Sequence, residues 1–284
     1  MRFVLAMLLW LLATAALAVA LPTVWAEANL VDDDGYAAFA QRAAADPTLQ
    51  QAVANELTTQ VLNLGGDVEP ALVQGIASSY TSGSAFPEQF AQANRFAHRW
   101  MFTDQVSSGT DAQGRWVVDI GPMLNDSAFN GTLDAYNITV PASLPVPLTQ
   151  NAPDALRPGQ LRSVATWGPW FSVGVTVLAG VCALLTLAAA RSRGKALAAL
   201  GVSALLVGAA GWAGVEIGRR RVDAALNNTS GDIREIADVM VDTAIASMHQ
   251  WLNITLIVGG ALVVLGVLFA MLGGLRQRTV REPF

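Results

Sequence analysis

SVATWGPWFSVGVTVLAGVCALLTLAAARSRGKALAALGVSALLVGAAGWAGV, residues 163–215, contains two long runs without Asp, Glu, Lys or Arg, parted by Arg191, Arg193 and Lys195. Each run, 163–190 and 196–215, reaches the roughly 20 apolar residues with which a helix crosses a bilayer. So short a basic connection predicts a chain that crosses, turns and crosses back. Two further uncharged runs lie outward of this pair, at 3–26 and 243–275, the second becoming strongly apolar near Trp251. The stretches between them, 27–162 and 216–242, are polar.

Hydrophobic residues make up 53% of the 284 and charged residues 14%, where soluble proteins carry roughly a quarter. With a mean hydropathy of +0.42, this excludes a disordered chain, a nucleic-acid binder and an ordinary cytosolic globule. The lipid bilayer is the expected partner. The charges are also partitioned. Arg2, Arg191, Arg193, Lys195, Arg276, Arg278 and Arg281 sit at the ends and in the tight connection with one acid, Glu282, whereas the two polar stretches hold 10 Arg and 21 acids. Basic residues beside spans resist translocation. The expected location is therefore the plasma membrane, with both termini and the 191–195 loop cytoplasmic and the main domain outside. Arg219, Arg220 and Arg221 oppose the rule and are expected to snorkel to the outer headgroups. Val24-Trp25-Ala26 before Glu27 offers a signal-peptide cleavage geometry, but the apolar run 3–21 exceeds the roughly 7–15 residues of a signal core. An uncleaved anchor is the favoured reading. The one cysteine, Cys182, falls inside the second span, so no disulfide staples the exported domain.

Helix signals dominate the first polar stretch. Asp33 or Asp34 caps a helix through Tyr36, Phe39 and Ala43. Asp46-Pro47 starts another, with Leu49, Val53, Leu57, Val61 and Leu64 on one face, ended by Gly65-Gly66. Glu69-Pro70 opens a third that buries Leu72, Val73 and Ile76, and Pro87 opens a fourth with Phe90, Ala93, Ala97 and Met101 in register. The period then changes. Residues 115–120 read as a short strand closed by Gly121-Pro122, 123–136 as helix, and 138–148, with three prolines, as an edge strand able to pair with 117–120. The predicted fold class is a membrane α-helical protein with four transmembrane helices and a mainly α, minor β extracytoplasmic domain. Its segments are 1–26, first span; 27–162, outer domain; 163–190, second span; 191–195, cytoplasmic loop; 196–217, third span; 218–250, outer hairpin tip; 251–275, fourth span; 276–284, cytoplasmic tail.

Within the hairpin tip, Ile233, Ile236, Ala237, Met240, Val241, Ala244, Ile245 and Met248 follow a helical stripe, and charged residues take the other face. Such a stripe needs cover, from the outer domain, the membrane surface or a partner. Ile233, Ala237, Met240, Ala244 and Met248 are the residues expected to face a partner, either another envelope protein or a second copy.

Catalytic signatures are missing: there is no Gly-x-Ser-x-Gly, Cys-x-x-Cys, His-Glu-x-x-His or phosphate-binding glycine loop. His98 reads either as a general base oriented by a carboxylate such as Asp119 or as a helix histidine bonded to a loop carbonyl or to Asn94. The lack of a nucleophile or second ligand favours the latter. His249 beside Trp251 reads as an interfacial residue, like Trp167 and Trp170. Asp119 fits a solvated strand face, and Asp32-Asp33-Asp34 fits a helix start better than a calcium loop. No catalytic residue, cofactor or metal is expected. The spans hold no ionisable residue near the midplane, as a pump or channel would; Glu216, at the outer end of the third, is placed to pair with Arg219 or Arg220. Small residues recur every four positions at Ala210, Gly214 and Gly218 and at Gly266, Ala270 and Gly274, a pattern of close helix packing.

Three segments, Ala45-Asp46-Pro47-Thr48-Leu49-Gln50, Ala91-Gln92-Ala93-Asn94-Arg95-Phe96-Ala97-His98 and Val117-Val118-Asp119-Ile120-Gly121-Pro122-Met123-Leu124, carry a resemblance. The chain resembles a group of uncharacterised actinobacterial integral membrane proteins built from an N-terminal span, an outer helical domain and three further spans. The resemblance implies that layout and no activity. The expected role is a non-enzymatic cell-envelope scaffold or accessory subunit acting through its outer domain. The alternatives are an outer ligand sensor that signals through a partner and, last, an envelope enzyme using His98.

Overall fold

The computed structural model describes residues 2–63, 69–102, 117–119, 145–147 and 161–278. In chain order these form α1 (Arg2–Ala26), a π-helical turn (Glu27–Val31), α2 (Asp33–Ala43), α3 (Pro47–Asn63), α4 (Pro70–Thr81), α5 (Phe86–Phe102), β1 (Val117–Asp119), β2 (Pro145–Pro147), α6 (Arg162–Ala189), α7 (Arg193–Ala225) and α8 (Gly231–Arg278). Four helical stretches are long and apolar enough to cross a membrane: Phe3–Val31, Arg162–Ala189, Arg193–Ala225 and Gly231–Leu272. By that measure the chain is a multi-pass α-helical membrane protein. It divides into two compact units. A bundle comprises Met1–Glu27, Trp167–Arg220 and Ile245–Phe284, and a helical domain comprises Ala28–Thr166 and Arg221–Ala244.

Local chemistry sets the helix starts of the domain. The Asp46 carboxylate accepts the Thr48 N–H at 2.7 Å, and Pro47 sits where its missing N–H costs nothing. Pro70 does the same for α4. At α2 the expectation is corrected. Asp32 is the cap, accepting the Gly35 N–H at 2.7 Å, because the π-helical turn ends just before it and leaves it extended. Asp33 and Asp34 are thereby released into the first turn. Gly35 is required here, since a Cβ would collide with the Ala28 carbonyl oxygen.

In the domain, α2 packs on α5 and α3 on α4. The core joins Leu49, Val53, Leu57 and Val61 to Val73, Ala77, Tyr80, Phe86 and Phe90. On α4 the fully buried line is Val73, Ala77 and Tyr80, with Leu72 and Ile76 only half-buried. Ile236, Val239 and Met240 of α8 press against this core, and Asn55 Nδ2 donates to Asp232 Oδ1 at 2.9 Å. The domain therefore covers part of the apolar stripe itself. Among the described residues, β structure is a single antiparallel ladder pairing Val117 with Pro147, Val118 with Val146 and Asp119 with Pro145. The helix expected over 123–136, the Gly65-Gly66 stop and most of 149–162 lie outside the described residues.

In the bundle, α7 and α8 approach backbone to backbone. A Cβ on Gly201 would lie 2.7 Å from the Gly259 carbonyl oxygen, and one on Gly194 would lie 2.7 Å from that of Gly266. The stripe expected on α7 is corrected, whereas Gly266 and Ala270 of the stripe expected on α8 do lie at the contact. Gly214 and Gly218 face open space, and the contact runs through Gly194, Gly201 and Gly208 against Leu256, Gly259, Gly266 and Ala270. Glycines seven apart keep one seam of each helix on the other, the repeat of a left-handed pair. Trp10 Nε1 on α1 donates to the Ala199 carbonyl at 2.9 Å, and Thr14 and Ser203 hydroxyls meet at 2.7 Å. The 191–195 loop is also shorter than expected: α7 begins at Arg193, so Arg193 and Lys195 belong to its first turn.

Candidate functional site

The densest polar arrangement in the helical domain surrounds His98, which is 3% exposed. Its Nε2 lies 3.0 Å from the Leu30 carbonyl oxygen. A carbonyl only accepts, so Nε2 carries the proton. Nδ1 lies 3.5 Å from Asp33 Oδ1, beyond ordinary hydrogen-bond reach. Tyr36 and Phe102 stack on the ring with centroids 4.9 and 4.3 Å away.

Two arginines on α5 hold the acids released at the start of α2. Arg99 donates through Nε at 3.2 Å and Nη2 at 2.9 Å to Asp33 Oδ2, and Arg95 Nη1 reaches Asp34 Oδ1 at 2.8 Å. Arg42 Nη2 donates to Asn29 Oδ1 at 3.0 Å, tying α2 to the π-helical turn. Burial raises the Tyr36 pKa, and its hydroxyl donates to Asn94 Oδ1 over a long 3.4 Å. Asp33 Oδ1, His98 Nδ1 and Arg95 Nε are buried without a hydrogen-bond partner.

A general base must reach its substrate. Here both ring faces are covered, one nitrogen is bonded to the backbone, and the facing carboxylate is held by arginine. The arrangement acts as a latch joining α5 to the π-helical turn and α2. The sequence offered His98 a loop carbonyl or Asn94 as partner and, for a general base, a carboxylate such as Asp119; the carbonyl it meets is that of Leu30 in the π-helical turn. The described carboxylate neighbour is Asp33, which the sequence presented, with Asp34, as a candidate helix cap.

The other candidates fall elsewhere. Asp119 ends β1, pairing with Pro145 through the backbone, and its side chain lies outside the described residues. Glu216 Oε1 accepts from Arg220 Nε at 3.3 Å on one exposed helical face, a solvent-screened pair of small energetic consequence. Met240 packs on the domain core, while Ile233, Ala237, Ala244 and Met248 are half-buried. His249 stacks on Trp212 with ring centroids 3.7 Å apart, a contact between α7 and α8 that the neighbouring Trp251 did not suggest. The hydroxyls of the spans are satisfied on their own helices: Ser172 by the Pro169 carbonyl, Thr176 by Ser172, Thr186 by Cys182 and Thr255 by Trp251. No group of three His, Cys, Asp or Glu residues able to hold a metal ion occurs among the described residues.

Fold and site together define a class, a multi-pass helical membrane protein whose most buried polar cluster is built into its packing. Comparison with protein-family models, curated proteins and solved structures finds no match.

Proposed function

We propose that this chain is a non-enzymatic accessory or scaffold protein of a bacterial plasma membrane, presenting its helical domain to another envelope component or to a second copy. The carrying observation is how His98 is used. The ring is stacked on both faces, bonded to the Leu30 backbone and closed off from solvent. What supports the orientation is the charge partition, with a net +6 on the ends and the α6–α7 connection against −11 on the two polar stretches. The termini and that connection are then cytoplasmic, and the domain is extracytoplasmic.

His98→Gln separates a packing role from proton transfer, because an amide still donates to the Leu30 carbonyl but cannot act as a base at neutral pH. A folded His98→Gln protein that fully complements a deletion strain is the expected result. A folded protein that fails to complement would favour the enzyme reading. Purification in mild detergent followed by mass spectrometry is expected to recover a stoichiometric envelope protein or a dimer. A bound small molecule with no protein partner would favour a sensor instead.

A further inference from the structure

Arg191, Arg193 and Lys195 crowd the α6–α7 connection, all three exposed. None forms an ion pair with another described residue. Neither 163–190 nor 196–215 contains an acid. Because α7 begins at Arg193, Arg193 and Lys195 sit at the positive end of its macrodipole, where a helix favours negative charge, whereas Arg191 follows the C-terminus of α6, where a cation is welcome. Helix stability alone would not place Arg193 and Lys195 there.

Two clefts in the bundle open beside this connection. One, of about 1030 Å³, is lined by all three cations together with Leu184, Leu187 and Phe269. The other, of about 420 Å³, is lined by Arg191 and Lys195 with Phe3, Met7 and Trp10. Leu184 is 68% and Phe269 59% exposed in the first cleft, and Phe3 is 80% and Met7 52% exposed in the second, so large apolar side chains continue each cleft from its charged mouth. Concentrated positive charge answers a phosphate, which arginine can grip with paired N–H groups. Apolar walls below it answer hydrocarbon. A free anion would use only the first of these features.

We infer that this end of the bundle is a seat for an anionic phospholipid, its headgroup phosphate held by Arg191, Arg193 and Lys195 and its acyl chains lying in the two clefts. Basic pockets between spans are suited to such headgroups. The seat stands whichever side of the membrane the connection faces, so it does not rest on the proposed orientation or role.

Native mass spectrometry of the full chain in mild detergent tests it, using phosphatidylglycerol and phosphatidylcholine with identical acyl chains. Each basic side chain near an anionic headgroup is worth about a fivefold change, so three favour phosphatidylglycerol on the order of a hundredfold. The triple variant R191Q/R193Q/K195Q is expected to bind the two lipids equally. The charge-conserving R191K/R193K is expected to keep the preference, which separates loss of charge from misfolding. Detergent solution removes sidedness, so an inverted variant cannot imitate a lost site. Equal binding of the two lipids by the unaltered chain, or a persisting preference in the triple variant, overturns the seat. Displacement of phosphatidylglycerol by equimolar inorganic phosphate would also overturn it, because a site that takes the free anion as well makes no use of its clefts.

Discussion

Tyr36 lies against Phe39 and the His98 ring, and its burial raises the phenol above the ordinary value of 10.0. The unfolded chain loses this proton first, so above about pH 10 the folded state binds more protons than the unfolded one. The stability tied to the neutral phenol is complete below that pH and is lost as pH rises toward the folded value. Denaturation midpoints of the unaltered protein are therefore expected to fall more steeply above pH 10 than those of Tyr36→Phe. A parallel decline in the two proteins would remove Tyr36 as the cause. His98→Ala unstacks two aromatic rings and strands the Leu30 carbonyl, with an expected cost of about 2–4 kcal/mol to the helical domain. Denaturant unfolding followed by circular dichroism measures it. That Asp33 is the carboxylate facing His98 was not legible in the sequence, because periodicity reports only which residues share a local face. Asp33 and Asp34 both looked like caps until the backbone gave that role to Asp32.

The starts of α3, α4 and α5 were legible because Asp46-Pro47, Glu69-Pro70 and Pro87 state their conformations locally. Asp46→Ala, which removes the hydrogen bond to Thr48 N–H, should destabilise the domain by about 1 kcal/mol. The π-helical turn has no such local signature, and neither does the glycine seam. Among 25 glycines, four-residue and seven-residue spacings are equally easy to find, and only the facing helix decides between them. Gly201→Val would drive a branched side chain into the Gly259 carbonyl and Val263. That variant is expected to lower the melting temperature of the detergent-purified protein sharply. Gly214→Val meets open space and should leave it nearly unchanged. Equal effects would mean that α7 and α8 do not pack along the glycines described.

For the whole molecule, four spanning helices follow directly from uncharged runs, since nothing else in a chain of this size excludes charge for so long. The orientation rests on where the basic residues fall. With Cys182→Ser as background, Ser79→Cys on exposed α4 should react with a membrane-impermeant maleimide in intact cells. Ser192→Cys should react only after permeabilisation. The reverse pattern would invert the proposed arrangement. Cys182 itself, buried in the second span with its neighbour Thr186 bonded to its carbonyl, leaves the helical domain without a single thiol. No oxidase or isomerase has a bond to make in that domain, and no reductant has one to break. Its folded state should be indifferent to the redox potential of its compartment, with the same denaturation curve in dithiothreitol as in air.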